Sequence, residues 1–361
     1  MTRSWFITLS RSLHAPTWGM AIIATLGCAL PLTLGLVSGH SGFLWAAVGA
    51  FQAARANPLH RVGMPRMMLL IVLGATGSAL GYWVAADALL GAGVFAVMGF
   101  LLAWLQRFGN EAAKLGLGTM VCLCLGQGLQ QSGDLANPMA VAFLFVLGGL
   151  WTALLAFGLR AAHGLRMWPH TPRLVQLLRT LRRHARRLPK TQWRWHALTC
   201  VISCATAALV VHYGSLEHGY WLTLAALAPL QLHLSHTLSR GLKTSFLAVW
   251  VAATLIATGY LLHEPKTLVV AVLPLILLCR AIQANGYSLY MLQSAGCCLL
   301  LAESLSVDWS QWQTRLLSAL TGLLVSASVL VLIYCLKNWQ RLAHEFWTLC
   351  QKTYGLFTSK R

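Results

Sequence analysis

Residues 137–159 read NPMAVAFLFVLGGLWTALLAFGL and contain no charged side chain. A helix rises ~1.5 Å per residue, so this run is long enough to cross the ~30 Å hydrocarbon core of a bilayer. The rest of the chain has the same character, since 57% of its 361 residues are hydrophobic and only 10% are charged. Soluble domains carry about 25% charged residues. The composition therefore argues against a soluble enzyme, a disordered protein and a coiled coil.

Further apolar runs, separated by short loops, extend this pattern along the whole chain. They predict an all-α membrane protein with about 12 transmembrane helices. The run at 40–56 is short and rich in glycine, which predicts a tilted or interrupted helix. We place Pro31, Pro229 and Pro274 inside spans, where neighbouring helices can satisfy the freed backbone groups. The predicted spans are 19–37, 40–56, 67–86, 88–106, 113–131, 137–159, 196–213, 218–235, 244–262, 266–283, 286–304 and 315–336.

The charges give the predicted topology. Lys and Arg number 27 against 8 Asp and Glu. With the N-terminus inside, Lys266 and Arg315 are the two basic residues that fall outside, and most of the acids fall outside with them. Because cytoplasmic loops are enriched in Lys and Arg, this predicts a multi-pass protein of the bacterial inner membrane with both termini cytoplasmic. A basic excess spread over successive loops also argues against a nucleic-acid partner.

An internal repeat is predicted from segments that align between the two halves of the chain. Two six-span units with the same orientation would be related by an axis along the membrane normal. The predicted organisation is a first unit at 1–160, a basic linker at 161–195, a second unit at 196–337 and a cytoplasmic tail at 338–361. The aligned segments are 46–47 with 225–226, Gln52 with Gln231, 57–61 with 236–240, and Gln127 with Glu303.

The linker contains the longest polar stretch of the sequence. Thr171 and Pro172 form a typical helix start, and up to Pro189 the leucines then fall on one helical face with arginines around the rest. Residues 171–188 therefore predict an amphipathic helix in contact with the inner leaflet. A second interpretation is that its positive charge attracts anionic substrates to the cytoplasmic mouth.

Metal and disulfide chemistry has little support in the sequence. The 10 cysteines lie mostly in apolar runs and form no C-x-x-C motif, as expected of small packing residues. His212, Glu217 and His218 fall close together, but their spacing is not that of a metal site. We predict no metal and no cofactor.

One motif resembles that of a known family. The stretch 218–223 reads HGYWLT, Gln231 follows, and 237–242 reads TLSRGL. This pattern resembles the signature of the fusaric acid resistance-like family, which includes aromatic carboxylic acid exporters and has plant malate channels as distant relatives. The chain departs from the family at 246–249, where FLAV replaces a G-T-x-x-G pattern. In the first half Gln52 and Arg61 keep the pattern more loosely.

The resemblance and the repeat single out basic and amide side chains. Arg61 and Arg240 occupy matching turns, where they could bind a substrate carboxylate or anchor helix ends. Gln52 and Gln231 lie inside predicted spans, where they could line a pathway or hydrogen-bond neighbouring helices. Arg280 lies where the tenth span meets the cytoplasm, and either an anion path or loop anchoring explains it.

Two aromatic residues and one acid complete the candidates. Tyr220 and Trp221 match the family motif, although aromatic residues also gather at membrane interfaces. Glu303, near the outer end of the eleventh span, aligns with Gln127, which is a further candidate pathway residue. A carboxylate inside a membrane often carries protons in transporters, whereas an interfacial acid would have no such role.

These observations predict a secondary exporter of small organic anions, with aromatic or hydroxylated carboxylic acids implied by the resemblance. We expect the proton gradient to drive it, because the sequence has no G-x-x-x-x-G-K-[ST] loop for ATP. The alternatives are a passive anion channel and a non-transporting scaffold. A membrane-embedded enzyme is disfavoured, since Glu111 and Glu345 are the two acids on the cytoplasmic side. Whether one chain suffices or a homo-oligomer forms is left open.

Overall fold

The computed structural model describes residues 18–60, 63–129, 137–164, 190–216, 218–230, 238–262, 264–281, 295–299, 301 and 312–338. All regular structure in these ranges is helical, which confirms the predicted all-α class. A short helical segment at 295–299 precedes the last helix. The longer helices are α1 (Trp18–Ser38), α2 (Phe43–Ala53), α3 (Gly63–Val84), α4 (Ala88–Gln106), α5 (Asn110–Leu129), α6 (Pro138–Ala162), α7 (Lys190–Tyr213), α8 (Gly219–Leu227), α9 (Leu238–Leu261), α10 (Pro265–Ala281) and α11 (Trp312–Lys337).

Six of these helices are long and apolar enough to cross a membrane: α1, α3, α4, α6, α7 and α11. Their outward faces carry large apolar side chains, such as Ile22, Leu26 and Leu30 on α1, which are about half exposed. Such a surface is stable against lipid, and a helix satisfies its own backbone polar groups there. The chain is therefore a membrane protein.

Two predicted spans are much shorter in the structure. In place of 40–56 the structure has α2 with 11 residues, and in place of 218–235 it has α8 with 9 residues. At ~1.5 Å per residue neither helix can cross a bilayer. Nearly every residue of both helices is buried, so they lie inside the protein, where the length of the hydrocarbon core sets no minimum.

Local sequence explains where the two short helices end. Pro229 follows α8 directly, rather than lying inside a span as predicted, because the residue before a proline disfavours helical geometry. After α2, the Asn57 side chain accepts a hydrogen bond from the Leu59 amide at 2.9 Å and stabilises a turn. Pro31 and Pro274 do lie inside helices, as predicted.

Each short helix is held by longer helices of its own half of the chain. α2 packs against α1, α3 and α6, while α8 packs against α7 and α11. A Cβ added at Gly148 of α6 would overlap the Ala46 carbonyl of α2, and one added at Gly322 of α11 would overlap the Leu222 carbonyl of α8. Glycine at these two positions therefore permits direct contact between helix backbones.

Contacts between the two halves follow a crossed pattern. α4 of the first half packs along α7 of the second, and α10 of the second half packs along α1 of the first. α5 also contacts α8. The largest buried apolar cluster among the described residues includes side chains of both halves. The ends of α2 and α8 are thus enclosed where the two halves meet.

Candidate anion site at the end of α2

The C-terminal end of α2 carries two buried polar side chains. Gln52 is 1% exposed and Arg55 is 5% exposed. Arg55 comes two residues after the last residue of α2, and its Nη1 atom donates to the Oε1 atom of Gln52 at 2.6 Å. The sequence predicted Gln52 as a site residue, whereas Arg55 was counted there as a loop charge only.

Arg280 reaches the same place from the other half of the chain. It lies in the last turn of α10, is 4% exposed, and donates from Nη2 to the carbonyl oxygen of Ala54. Its Cζ atom lies 5.9 Å from the centroid of the Phe51 ring. Carbonyl groups at a helix end lack partners within the helix and carry partial negative charge. A guanidinium is therefore well suited to this position.

Cys298 and Gly118 complete the surroundings. The Nε2 atom of Gln52 donates to the Sγ atom of Cys298 at 3.5 Å, and both arginines act electrostatically on this thiol. Gly118 of α5 faces the pair on α2, since a Cβ there would lie 3.0 Å from Nη1 of Arg55. We call Gln52, Arg55, Arg280 and Cys298 the arginine cluster.

Arg160 fixes the loop that follows the cluster. It lies near the end of α6 and donates from Nη1 to the carbonyl oxygens of Pro58 and His60, the latter at 2.9 Å. Because this loop begins directly after Arg55, the two hydrogen bonds of Arg160 hold in place the part of the chain that follows the cluster. Arg160 is a positioning residue rather than part of the cluster.

The aromatic pair of the motif lies elsewhere. Tyr220 and Trp221 are both buried at the start of α8, so neither faces a membrane interface. The Oη atom of Tyr220 lies 3.5 Å from Nδ1 of His218, and Gly128 of α5 packs on the Tyr220 ring. Trp221 lines a small apolar cavity of about 40 Å³ together with Leu255 and other residues of α9, α11 and 295–299.

Gln127 directly precedes Gly128, the residue that packs on the Tyr220 ring, and takes no part in the hydrogen bonds described for the arginine cluster. It is buried in α5, and its Oε1 atom has no hydrogen-bond partner among the residues described. An amide oxygen left in this state is costly, so Gln127 keeps its place among the candidate pathway residues.

The side chains of four predicted site residues cannot be placed relative to the arginine cluster. Arg61, Gln231 and Glu303 lie outside the described residues, and Arg240 is described only as part of helix α9. The amphipathic helix predicted at 171–188 also lies outside them. The structure brings Gln52 and Arg280 together at the end of α2 and places Tyr220 and Trp221 outside this cluster, at the start of α8.

Of the two residues that sequence reasoning missed, one had a detectable signal and the other had none. Arg55 follows Gln52 by three residues, a helical spacing that would have placed both on one face of the predicted span 40–56. Cys298 had no such signal, because its contact with Gln52 depends on how the two halves pack.

Comparison with known proteins agrees with the motif. Residues 203–329 match the model of a family described as fusaric acid resistance protein-like. This match confirms the resemblance predicted from the motif. No curated protein and no solved structure shows significant similarity to the chain.

Proposed function

We propose that this membrane protein, which matches the fusaric acid resistance protein-like family over residues 203–329, is a secondary exporter of small organic anions. The proposed substrates are aromatic or hydroxylated carboxylic acids, and the proposed location is the inner membrane of a bacterium. The observation that supports this most directly is the arginine cluster, which gathers two buried guanidinium groups where the halves meet.

The chemistry of the cluster fits a carboxylate. A guanidinium offers a planar fork of N–H donors that matches the two oxygens of a carboxylate. Charges act over longer distances in a buried site than in water, because screening is weaker there. The Gln52 amide adds a neutral polar group to the same site. A small anion with a flat carboxylate is therefore the ligand that we expect.

The contacts between helices support the proposed two-unit organisation. α2 packs between α1 and α6, and α8 packs between α7 and α11. The two crossed contacts are equivalent as well. α4 packs along α7 and α10 packs along α1, and the proposed units align α4 with α10 and α1 with α7. If the halves are parallel repeats, export would proceed by rocking one unit against the other around a site between them.

The proposed energy source is the proton gradient. Glu303 is our proposed outer proton carrier, because a carboxylate near the outer end of a span can exchange protons with the periplasm. Its predicted alignment with Gln127 motivates this role. No catalytic step is part of the proposal.

The test is transport by the purified protein in proteoliposomes loaded with a panel of aromatic and hydroxy carboxylates. We expect export that depends on an imposed pH gradient and that falls sharply in Arg55→Gln and Arg280→Gln. Arg194→Gln is the matched control, since Arg194 is an exposed arginine of α7. Glu303→Gln is expected to uncouple export from the gradient.

Three results would contradict the proposal in different ways. Flux that follows voltage but ignores the pH gradient would indicate the anion channel. Equal losses in Arg194→Gln and Arg280→Gln would remove the arginine cluster from the mechanism. If none of the acids on the panel is transported, the exporter proposal is wrong. A non-transporting scaffold would then be the remaining interpretation.

A further inference from the structure

A second hydrogen-bonded chain joins the two halves at the end of α4. Gln106 is the last residue of α4 and is buried. Its Nε2 atom donates to the carbonyl oxygen of Leu230, just after α8, at 3.1 Å. Its Oε1 atom contacts the Nε2 atom of His196 on α7. One amide therefore connects α4 of the first half with α7 and the end of α8 in the second.

This geometry fixes where the proton of His196 lies. An amide oxygen has only lone pairs, so Nε2 of His196 must be the donor to Gln106. In a neutral imidazole the other nitrogen, Nδ1, then carries a bare lone pair. The Nδ1 atom of His196 is buried and has no hydrogen-bond partner in the part of the chain that the structure describes, and the residue is only 2% exposed.

We propose that His196 is a proton-binding residue of the transport cycle and that its protonation opens the interface between α4 and α7. A proton added at Nδ1 would place a charge and a new donor where no described group can accept it. Burying such a group is costly, so the packed interface accommodates the neutral form. The protonated form is stabilised when the helices separate and water reaches Nδ1. This inference deepens the proposed export, on which its transport test rests.

Burial favours release of the proton when the interface closes again, because His196 is only 2% exposed and a charge is costly away from water. Arg107 follows Gln106, and its Cζ atom lies 5.4 Å from the centroid of the Trp193 ring on α7. Cys200 contacts His196 through Sγ at 3.5 Å. The remaining ionisable groups on α7 and the helices packed against it are Lys190, Arg194, Cys204, His212, Tyr213, Asp87, His218, Tyr220, Arg315, Tyr334, Cys335 and Lys337.

The contact between Gln106 and Leu230 corresponds to one in the arginine cluster, but the residue next to it, His196, can titrate. Arg280, at the end of α10, donates to the carbonyl oxygen of Ala54 after α2, just as Gln106, at the end of α4, donates to that of Leu230 after α8. An arginine keeps its proton under all physiological conditions, whereas a histidine exchanges one near neutral pH. One contact thus supplies fixed positive charge for an anion, and the other can gain and lose a proton.

The first test compares His196→Gln with wild type in the proteoliposome assay over a range of external and internal pH. Glutamine can still donate to Gln106 but cannot titrate. We expect its export rate to lose the pH dependence of the wild type, while exchange of labelled for unlabelled substrate without a gradient continues. His163→Gln is the control, because His163 is exposed at the end of α6. An unchanged pH profile in His196→Gln would overturn the proposal.

The second test needs no substrate. Hydrogen exchange of the α4 and α7 backbone amides is measured on the full-length protein at about pH 5.5 and about pH 7.5, on either side of the usual pKa of histidine. After correction for the chemical exchange rate, we expect faster exchange at the lower pH in the wild type and no such difference in His196→Gln. Equal protection at both pH values in the wild type would reject the role of His196. If no variant transports any acid, the exporter proposal fails, and this measurement still decides whether protonation opens the interface.

Discussion

Arg280 donates a hydrogen bond to the carbonyl oxygen of Ala54, and this contact joins the last turn of α10 to the end of α2 in the other half of the chain. Gln106 makes the corresponding contact with Leu230 after α8. Both short central helices therefore end on a side chain supplied by the opposite half. Any movement of one half against the other must change these two contacts.

The first prediction separates charge from geometry at Arg280. Arg280→Lys keeps the positive charge but loses the planar fork, and Arg280→Gln loses both. A hydrogen bond to a charged group contributes roughly 1.5–3 kcal/mol, which corresponds to about a ten- to hundredfold loss of affinity. We expect that loss for Arg280→Gln and a smaller one for Arg280→Lys, measured as the apparent KM for export of a carboxylate. Equal affinity in all three proteins would show that the substrate does not contact Arg280.

The second prediction concerns Gly118. A Cβ there would lie 3.0 Å from Nη1 of Arg55 and 3.3 Å from Oε1 of Gln52. Gly118→Ala should therefore leave the fold intact, because a flexible side chain can give way, yet displace Arg55 and reduce export. Gly93→Ala is the control, since a Cβ at Gly93 meets nothing within 4 Å. Full activity in Gly118→Ala would show that the position of Arg55 is unimportant.

The third prediction tests the close contact between α6 and α2. Gly148→Ala places a Cβ against the Ala46 backbone, which cannot move without separating the helices. We expect a clear drop in the thermal unfolding temperature of the detergent-solubilised protein. Gly158→Ala, on the same helix with nothing within 4 Å, should be neutral or stabilising by up to about 1 kcal/mol, because alanine favours a helix over glycine. The contact would be disproved if both variants melted like the wild type.

The fourth prediction concerns the start of α4. The Asp87 side chain accepts hydrogen bonds from the amides of Leu89 and Leu90 at 2.9 and 3.0 Å. Removing such a cap costs about 1 kcal/mol, so Asp87→Ala should lower the thermal unfolding temperature modestly. Asp87→Asn keeps the accepting oxygen and should behave like the wild type. A loss in Asn equal to that in Ala would mean that the charge, rather than the cap, stabilises α4.

The long helices were predictable because their apolar length is itself the signal. Runs such as 19–37 and 137–159 agree with α1 and α6 within a few residues. The same rule failed for α2 and α8, because it assumes that an apolar helix faces lipid. Both are enclosed by protein, and the turn signals at Pro229 and after α2 decide their ends.

The candidate site was predictable only in pieces. Gln52 and Arg280 were each singled out, but nothing in the sequence places the end of α10 against the end of α2. Arg55 was assigned to topology because any cytoplasmic arginine satisfies the positive-inside rule. The contact between His196 and Gln106 depends wholly on the packing of α4 along α7.

The crossed packing has a consequence for how the protein is made. A ribosome synthesises α1 first, but one of the helices that cover α1 is α10, which ends at Ala281. Until α10 has been made, α1 must therefore lie in the lipid with one flank unfilled. A chain that stops between the halves would retain that open flank, which membrane quality control could recognise as unfinished. Correct assembly thus depends on residues that leave the ribosome long after α1.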